Sequence, residues 1–518
     1  MTPIEIVVDS QLRIHQATLP PDVAEELKAE FTHVNPEHAK LRTMGYAAWK
    51  CPRVIYTWTI DQGVLSLPRG GLGQVRSILA RNGLDWSVKD ERCEGDPKLR
   101  GKIPKHRLVL WDFQEQLVQA AIAKENCLLR APTGSGKTSA AIGLIARLQL
   151  PALVVVWNGA LLDQWVQRIE KELGLHGREI GMVRGGDRRL APVTLAMQQT
   201  LWKMRGAEWD WLDRSFGVMV ADEAQRACAR SYLDVFTRLS ARYRVGISAN
   251  EARRDRKQFL TYDVFGQVAL AVDEKKLVRD GIVHEVEVRV VPTTFECPEY
   301  ADARAEFGEA MAAEANMSDV EAPDFKFLLD RIVENEERNR VVMQLAIAEV
   351  KQDNPTIALS HRRDHCQRFC TLAAAAGCPS GLLLGSKADS AEFERSAAGL
   401  KARKIMFAAG TIQAVGQGID LPAVSRGIVT TPVAGNKYLW GQVRGRMCRV
   451  TEGKTDAVVY YLWDQHCVGV GHLANLVAWN KNVKVLDIGG QWVEGRAYLE
   501  MVRDLVRAKK EQDDGEAT

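Results

Sequence analysis

Residues 131–138 read Ala-Pro-Thr-Gly-Ser-Gly-Lys-Thr, and Asp222-Glu223-Ala224-Gln225 closes the apolar run Phe216-Gly217-Val218-Met219-Val220-Ala221. The octet fits the phosphate-loop pattern, with Ala131 at a position where Gly is also common. Small residues there let backbone N–H groups close around a polyphosphate, so Pro132, Thr133, Gly134, Ser135 and Gly136 form the expected cradle. Lys137 is placed to reach the β- and γ-phosphates, and the Thr138 hydroxyl to bind Mg²⁺. The apolar run reads as a strand. It puts Asp222 at a strand's C-terminal end, where it can hold the same Mg²⁺, with Glu223 beside it to activate water. A chain built this way is expected to bind and hydrolyse a nucleoside triphosphate.

The surrounding sequence predicts the scaffold. Over 108–297, short β-branched runs such as 153–156 and 218–220 alternate with helical stretches such as 160–173 and 223–240. That alternation is the mark of a parallel α/β sheet. A second α/β unit is expected over 341–480, with strands at 356–359, 404–407, 427–430 and 457–461. The predicted fold class is thus α/β, two RecA-like parallel-sheet domains in tandem, with the phosphate loop only in the first. Residues 1–95 precede them as a small α+β unit, with strands at 4–8 and 54–60 and a Leu67-Pro68-Arg69-Gly70-Gly71 turn leading into a helix. Residues 96–107 form a basic, Pro/Gly-punctuated linker. Residues 298–340 are an acidic helical connector, and 481–518 a helical extension with a polar tail.

With 518 residues the chain exceeds one core and several domains are expected. A net charge of +3 does not force a nucleic-acid partner, which must be argued from local patches. The ten cysteines show no framework spacing and read as free thiols in a reducing compartment. No uninterrupted apolar stretch is long enough to span a bilayer, and residues 1–6 lack the pattern of a signal peptide. A cytoplasmic, bacterial or phage-encoded protein is expected. No protein partner can be read from the sequence.

Further motifs follow in order. Trp111-Asp112-Phe113-Gln114 sits before the first helix of the sheet; a Gln amide can pair with both edges of adenine while an aromatic neighbour stacks on the ring. Then come Gln164-Trp165, Gly185-Gly186, Gln199, Asp222 to Gln225, Gly418-Ile419-Asp420-Leu421-Pro422, and Gln442-Val443-Arg444-Gly445-Arg446-Met447-Cys448-Arg449. Over residues 108–465 this series resembles the superfamily 2 helicases and translocases, and within them the XPB-type DNA translocases and the phage UvsW type of branch-migration helicase. The likeness extends to the N-terminal unit with its Leu-Pro-Arg-Gly turn.

The resemblance implies roles. Gln114 reads adenine. Lys137 and Thr138 hold phosphate and Mg²⁺. Asp222 binds Mg²⁺ and Glu223 is the general base. Gln225 couples the nucleotide to the second sheet. Gly418 and Asp420 approach the ATP ribose or its water network. Gln442 and Arg446 face the triphosphate, and Arg449 is the arginine finger. The implied nucleic-acid contacts are Gln164, Gly185, Gly186, Thr194, Gln199 and Thr411, with Arg69 added from the N-terminal unit. There Lys50, Arg53 and Arg76, near Trp49, Tyr56 and Trp58, also suit duplex or junction binding. Two departures stand out: the family's Ser-Ala-Thr-Pro appears as Ser248-Ala249-Asn250-Glu251, and Met197 replaces a usual backbone-contacting Thr.

Taken without the resemblance, Arg444, Arg446 and Arg449 could also be a solvated helix face. His361, His365, Cys366, Cys370 and Cys378 read as buried helix residues rather than a zinc set, because no paired short-spacing Cys motif is present. The expected function is an ATP-dependent DNA helicase or translocase using ATP and Mg²⁺ on duplex, forked or branched DNA. An RNA helicase of the same superfamily and an ATP-gated nucleic-acid clamp or sensor are the alternatives. Asp-Glu-Ala-Gln rather than Asp-Glu-Ala-Asp, together with the N-terminal unit, argues against the first of these, and the altered Asn250-Glu251 pair keeps the second open.

Overall fold

The computed structural model describes residues 3–43, 49, 51–107, 109–249, 255–312, 323–385, 390–416, 424–433, 436–451 and 453–516. They fall into two compact units, Met1–Lys276 and Leu277–Thr518.

The first unit opens with a five-stranded sheet, ordered Thr59–Asp61, Val64–Leu67, Leu12–His15, Ile4–Val8, Trp86–Asp90. Its strands are antiparallel except the last pair, where Ile6 lies opposite Val88 in parallel. Side chains alternate across a strand, so Ile4, Ile6 and Val8 share one face. That face is buried against Val75, Ile78 and Leu79 of the helix Leu72–Arg81 and Val23 and Leu27 of the helix Pro21–Glu30. The single strand expected over 54–60 is two. Val54–Tyr56 pairs with Thr32–Val34 as a separate hairpin, while Thr59–Asp61 joins the main sheet. Thr57 makes the break. Its N–H donates to the Phe31 carbonyl (3.0 Å) and its hydroxyl to Asp263 (2.8 Å), which turns the chain out of the hairpin.

The second sheet of this unit has eight strands, ordered Asp187–Arg189, Ile180–Arg184, Val193–Met197, Ala152–Val156, Val218–Asp222, Tyr243–Ser248, Asn126–Arg130, Val268–Ala271. All neighbours are parallel except Asp187–Arg189, which returns antiparallel at one edge. The central strand Ala152–Val156 is buried along its whole length, as expected where helices cover both faces. Residues 96–107 are a strap rather than a free linker. Gly101 and Arg107 donate backbone N–H groups to Gln149 and Glu172, and His106 Nε2 lies 2.9 Å from the Glu172 carboxylate.

Arg69, expected at a nucleic-acid surface, is instead a bolt inside this unit, only 3% exposed. Its guanidinium donates to Asn126 Oδ1 (3.0 Å) and to the carbonyls of Asp9 (3.1 Å), Ala241 (2.8 Å) and Arg242 (3.1 Å). It thereby joins the five-stranded sheet to the eight-stranded one. Burial and the neighbouring Arg244 push its pKa well down from the usual arginine value. Gly70 completes the junction: a Cβ there would run into the carbonyls of Tyr262 and Asp263 on the helix Phe259–Phe265. Removing the guanidinium takes a donor from each of these carbonyls, among them the buried Ala241 oxygen, and leaves the Arg242 oxygen only a long contact from Arg92 (3.4 Å). Arg69→Ala is therefore expected to destabilise this unit by about 3 kcal/mol, read as a lowered urea midpoint. An unchanged midpoint would show that the bolt bears no strain.

The second unit carries another eight-stranded sheet, ordered Ser380–Leu383, Phe407–Thr411, Thr356–Ser360, Arg426–Val429, Ala457–Trp463, Val286–Pro292, Val483–Leu486, Trp492–Glu494. Only the last pair is antiparallel. Both eight-stranded sheets have the RecA-like, mostly parallel character expected. Three expectations need correction. Val286–Pro292, placed with the first sheet by the 108–297 boundary, pairs instead with Ala457–Trp463 over seven residues. The segment 481–518 is not wholly helical, since two strands finish the sheet before the helix Gly495–Glu516. The strand expected at 404–407 begins at Phe407. Lys404 and Ile405 donate their N–H groups to Gly399 at the end of the preceding helix, with Arg403 in the left-handed region (φ 54°), so they are not available to a sheet. Among the described residues no helix is long and apolar enough to cross a membrane.

Candidate active site

The strand Asn126–Arg130 runs into the phosphate loop, and the helix Lys137–Leu148 leaves it. Gly134 (φ 88°) and Gly136 (φ 81°) sit in the left-handed region, which side chains rarely adopt. The loop is held from inside. Ser135 Oγ donates to the Pro132 carbonyl (2.7 Å), and Lys137 Nζ donates to the same oxygen (3.1 Å). Thr133 and Thr138 are half-buried at its rim.

Gln114 braces this loop. Its Nε2 donates to the carbonyls of Ser135 (3.1 Å) and Gly136 (3.3 Å), and its Oε1 accepts from Trp111 N–H (3.0 Å). Both faces of the amide are thus engaged by the polypeptide, so the bidentate adenine contact expected of it is not what this conformation offers. The half-exposed Trp111 ring lies beside it (58% exposed).

The strand Val218–Asp222 delivers the acid pair. Asp222 Oδ2 accepts from the indole N–H of Trp165 (2.8 Å), and Oδ1 from the Glu223 N–H (2.8 Å). Burial, with the Glu223 charge added, pushes the Asp222 carboxyl up to about 6; the Trp165 hydrogen bond and the Lys137 ammonium oppose the rise. Lys137 and the acid pair therefore share one electrostatic site. Glu223 itself adopts φ 53°, ψ 49°, a strained backbone for a side-chain-bearing residue of the kind that gathers at functional sites. Gln225 Nε2 donates to Glu223 Oε2, and Ser248 Oγ donates to Gln225 Oε1 (2.6 Å). A chain of hydrogen bonds thus leads from Ser248, in the counterpart of the Ser-Ala-Thr-Pro element, to the expected general base. Trp165, to which the motif series assigns no role, is fully buried on the helix Gly159–Leu173 and is the orienting donor of Asp222.

The expected nucleic-acid contacts divide. Gly185 (φ 59°) and Gly186 form the turn between Ile180–Arg184 and Asp187–Arg189, and Gly185 N–H donates to Thr200 Oγ1 (3.2 Å). Gln199 is exposed and donates to the Trp157 carbonyl (3.3 Å), while the Arg226 guanidinium stacks 3.7 Å from the Trp157 ring. These lie beyond the C-terminal ends of neighbouring strands. Gln164 is half-buried next to Trp165. Thr194 is a correction: it is fully buried near the start of its strand, and its hydroxyl is tied to Ala191, accepting from its N–H (3.0 Å) and donating to its carbonyl (2.9 Å). It cannot touch a nucleic-acid backbone.

In the second unit, Thr411 ends its strand and its Oγ1 accepts from Ala414 N–H (3.3 Å). Gln442 and Arg446 lie four residues apart on the helix Lys437–Met447, hence on one face. Asn436 caps that helix, accepting from Leu439 N–H (3.1 Å). Arg449 follows it and pairs by backbone with Val283. Lys454, nearly buried, donates to the carbonyls of Met447 and Val424 and so fastens the helix end; burial pushes its pKa down to about 8. Gly418 and Asp420 lie outside the described residues, as do Asn250 and Glu251. His365 is buried, bonded to Ser360 Oγ (3.0 Å) and Asn339 Oδ1 (2.8 Å).

The family described as type III restriction enzyme, res subunit, matches residues 107–252. The chain is similar to the putative DNA 3'-5' helicase Rad25 of Halobacterium salinarum, 32% identical over 239 residues, 44% of this chain and 38% of that protein. It is also similar to the probable helicase D10 of Escherichia phage T5, 22% identical over 385 residues, 74% of this chain and 76% of that one. Among solved structures, T4 UvsW aligns at 15% identity and a TM-score of 0.39, over 93% of this chain and 99% of that one. The chain thus spans well under half the length of the Rad25 relatives that it matches.

Proposed function

We propose that the chain belongs with the superfamily 2 helicases and translocases to which it is similar, and that it hydrolyses ATP to move along or remodel duplex, forked or branched DNA. The observation that carries this reading is the convergence of Lys137, Asp222 and Glu223, with Gln225 and Ser248 bonded in series behind them. The phosphate loop binds the triphosphate tail through its backbone N–H groups and Lys137. Glu223 takes a proton from the attacking water, oriented by Gln225. Arg449, with Gln442 and Arg446, meets the charge that develops on the γ-phosphoryl group, the largest electrostatic demand of the reaction.

The hydroxyl of Thr138 and the carboxylate of Asp222 are hard oxygen donors of the kind Mg²⁺ takes, and Asp222 is held in place by Trp165. When bound there, Mg²⁺ neutralises phosphate charge. DNA is favoured as the track because the D10 and Rad25 relatives are named helicases, Rad25 explicitly of DNA. The exposed Gln199 and the Gly185–Gly186 turn offer a surface at the strand ends where a phosphate backbone can approach.

The test is ATP turnover measured with single-stranded, duplex, forked and four-way-junction DNA, with RNA of equal length as control. Stimulation by DNA, strongest with duplex-containing forms, is expected. Equal or greater stimulation by RNA would replace DNA as the track. Robust turnover with no displacement, migration or translocation would turn the motor into a clamp.

A further inference from the structure

Resting on that reading, we propose that Asp263 is the joint through which the hydrolytic centre sets the position of the hairpin Thr32–Val34 and Val54–Tyr56, and that this hairpin, with the helix Pro36–Thr43, grips duplex DNA. Asp263 is a positioning residue in this account; it touches neither nucleotide nor DNA.

The route begins at Glu223, bonded to Gln225. Gln225 belongs to the short turn Ala224–Cys228, and Cys228 Sγ at the turn's end reaches the Lys257 carbonyl (2.8 Å) and Thr261 Oγ1 (3.1 Å). Thr261 is fully buried on the helix Phe259–Phe265. Two residues on, the same helix presents Asp263. One carboxylate oxygen of Asp263 accepts from both His33 Nε2 and Thr57 Oγ1, each at 2.8 Å. The His33 ring also stacks on Phe259, with centroids 4.2 Å apart, and Lys257 Nζ pairs with Glu37 (2.6 Å). A seven-residue helix is thus held by the acid-pair turn on one side and by the base of the hairpin on the other. It is too short to absorb a displacement by bending. Hydrogen bonds weaken steeply outside a narrow range of distance and angle, so a shift of the helix must either carry the hairpin with it or break both bonds to Asp263 at once.

What the hairpin presents suits a phosphate backbone. Val34 and Tyr56 are 70% and 60% exposed, and Trp49 stands exposed on the connection between the strands. Lys40, Arg42 and Arg53 are exposed on the same segment. Its one acid, Glu37, is already paired with Lys257. Cations beside exposed rings match the sugar-phosphate edge and base faces at the end of a duplex.

Two variants test the joint from its two sides: Asp263→Ala, and the double substitution His33→Phe with Thr57→Val, which keeps ring stacking and volume but removes both donors. The measurements are kcat and KM for ATP without DNA, and the stimulation by single-stranded and by forked DNA. The expected result is DNA-free turnover within about twofold of wild type and stimulation by forked DNA reduced about tenfold, the ordinary size of an energetic coupling, with stimulation by single strands retained. Should Asp263→Ala fail to fold, the double variant alone decides. Wild-type stimulation by forked DNA in a folded variant overturns the joint. So does a DNA-free turnover that falls by the same factor, which would make Asp263 a support of the active site. Equal loss with single strands and forks overturns the duplex assignment. If wild-type protein itself shows no stimulation by DNA, the functional reading falls and this inference with it.

Discussion

Replacing Glu223 by glutamine is expected to lower DNA-stimulated ATP turnover by about 10³-fold, within the range that one general base supplies, while KM for ATP stays within about twofold. The substitution is isosteric, so the phosphate loop, Lys137 and Asp222 keep their positions and ATP binding is preserved. What disappears is the proton acceptor. There is a second consequence in the hydrogen-bond chain. Gln225 donates its amide to Glu223 and accepts from Ser248 through its other end. A glutamine at 223 must turn its carbonyl toward Gln225 to keep that bond. If it turns the other way, two amide donors face each other and Gln225 must flip, which reverses the bond with Ser248 so that its hydroxyl accepts rather than donates. The variant is therefore expected to bind nucleotide yet lose turnover. Steady-state ATPase titrations in ATP and DNA check it. Turnover within tenfold of wild type would move the base to another residue.

The parts of this molecule that were legible in the sequence are those set by local chemistry. The phosphate loop needs small residues and a lysine in fixed order, and an apolar β-branched run ending in two acids has few settings other than a buried strand end. What could not be read depends on contacts between distant segments. Arg69 sits in a Pro-Arg-Gly-Gly turn that looks suited to phosphate, but its partners Asn126, Ala241 and Arg242 lie far along the chain and enclose it. The family resemblance implies a nucleic-acid contact at Thr194, yet this residue is buried near the start of its strand, the wrong end to face a ligand. Val286–Pro292 follows the first sheet in sequence and joins the second, because parallel pairing is chosen by non-local packing. Gln114 shows the same limit at short range: the residue type fits adenine, but loop carbonyls twenty residues away take its hydrogens. The bond between His33 and Asp263 spans 230 positions and leaves no trace in either local sequence.

We propose, as the family resemblance implies, that Arg449 meets the charge that develops on an ATP bound through Lys137. A phosphate loop alone binds the triphosphate but supplies little positive charge on the far side of the γ-phosphoryl group. An arginine brought there is worth roughly 10³–10⁵ in rate. Arg449 stands just past the helix that carries Gln442 and Arg446, in a segment pinned by its pairing with Val283 and by Lys454 at the helix end. Arg449→Ala removes the charge without disturbing those backbone contacts. The most direct measurement is DNA-stimulated ATPase of Arg449→Ala beside wild type, with nucleotide affinity measured in parallel. The account predicts a loss of at least about 10³-fold in kcat with affinity for ATP little changed. Wild-type turnover in that variant would contradict it, because the second sheet would then take no part in the chemistry.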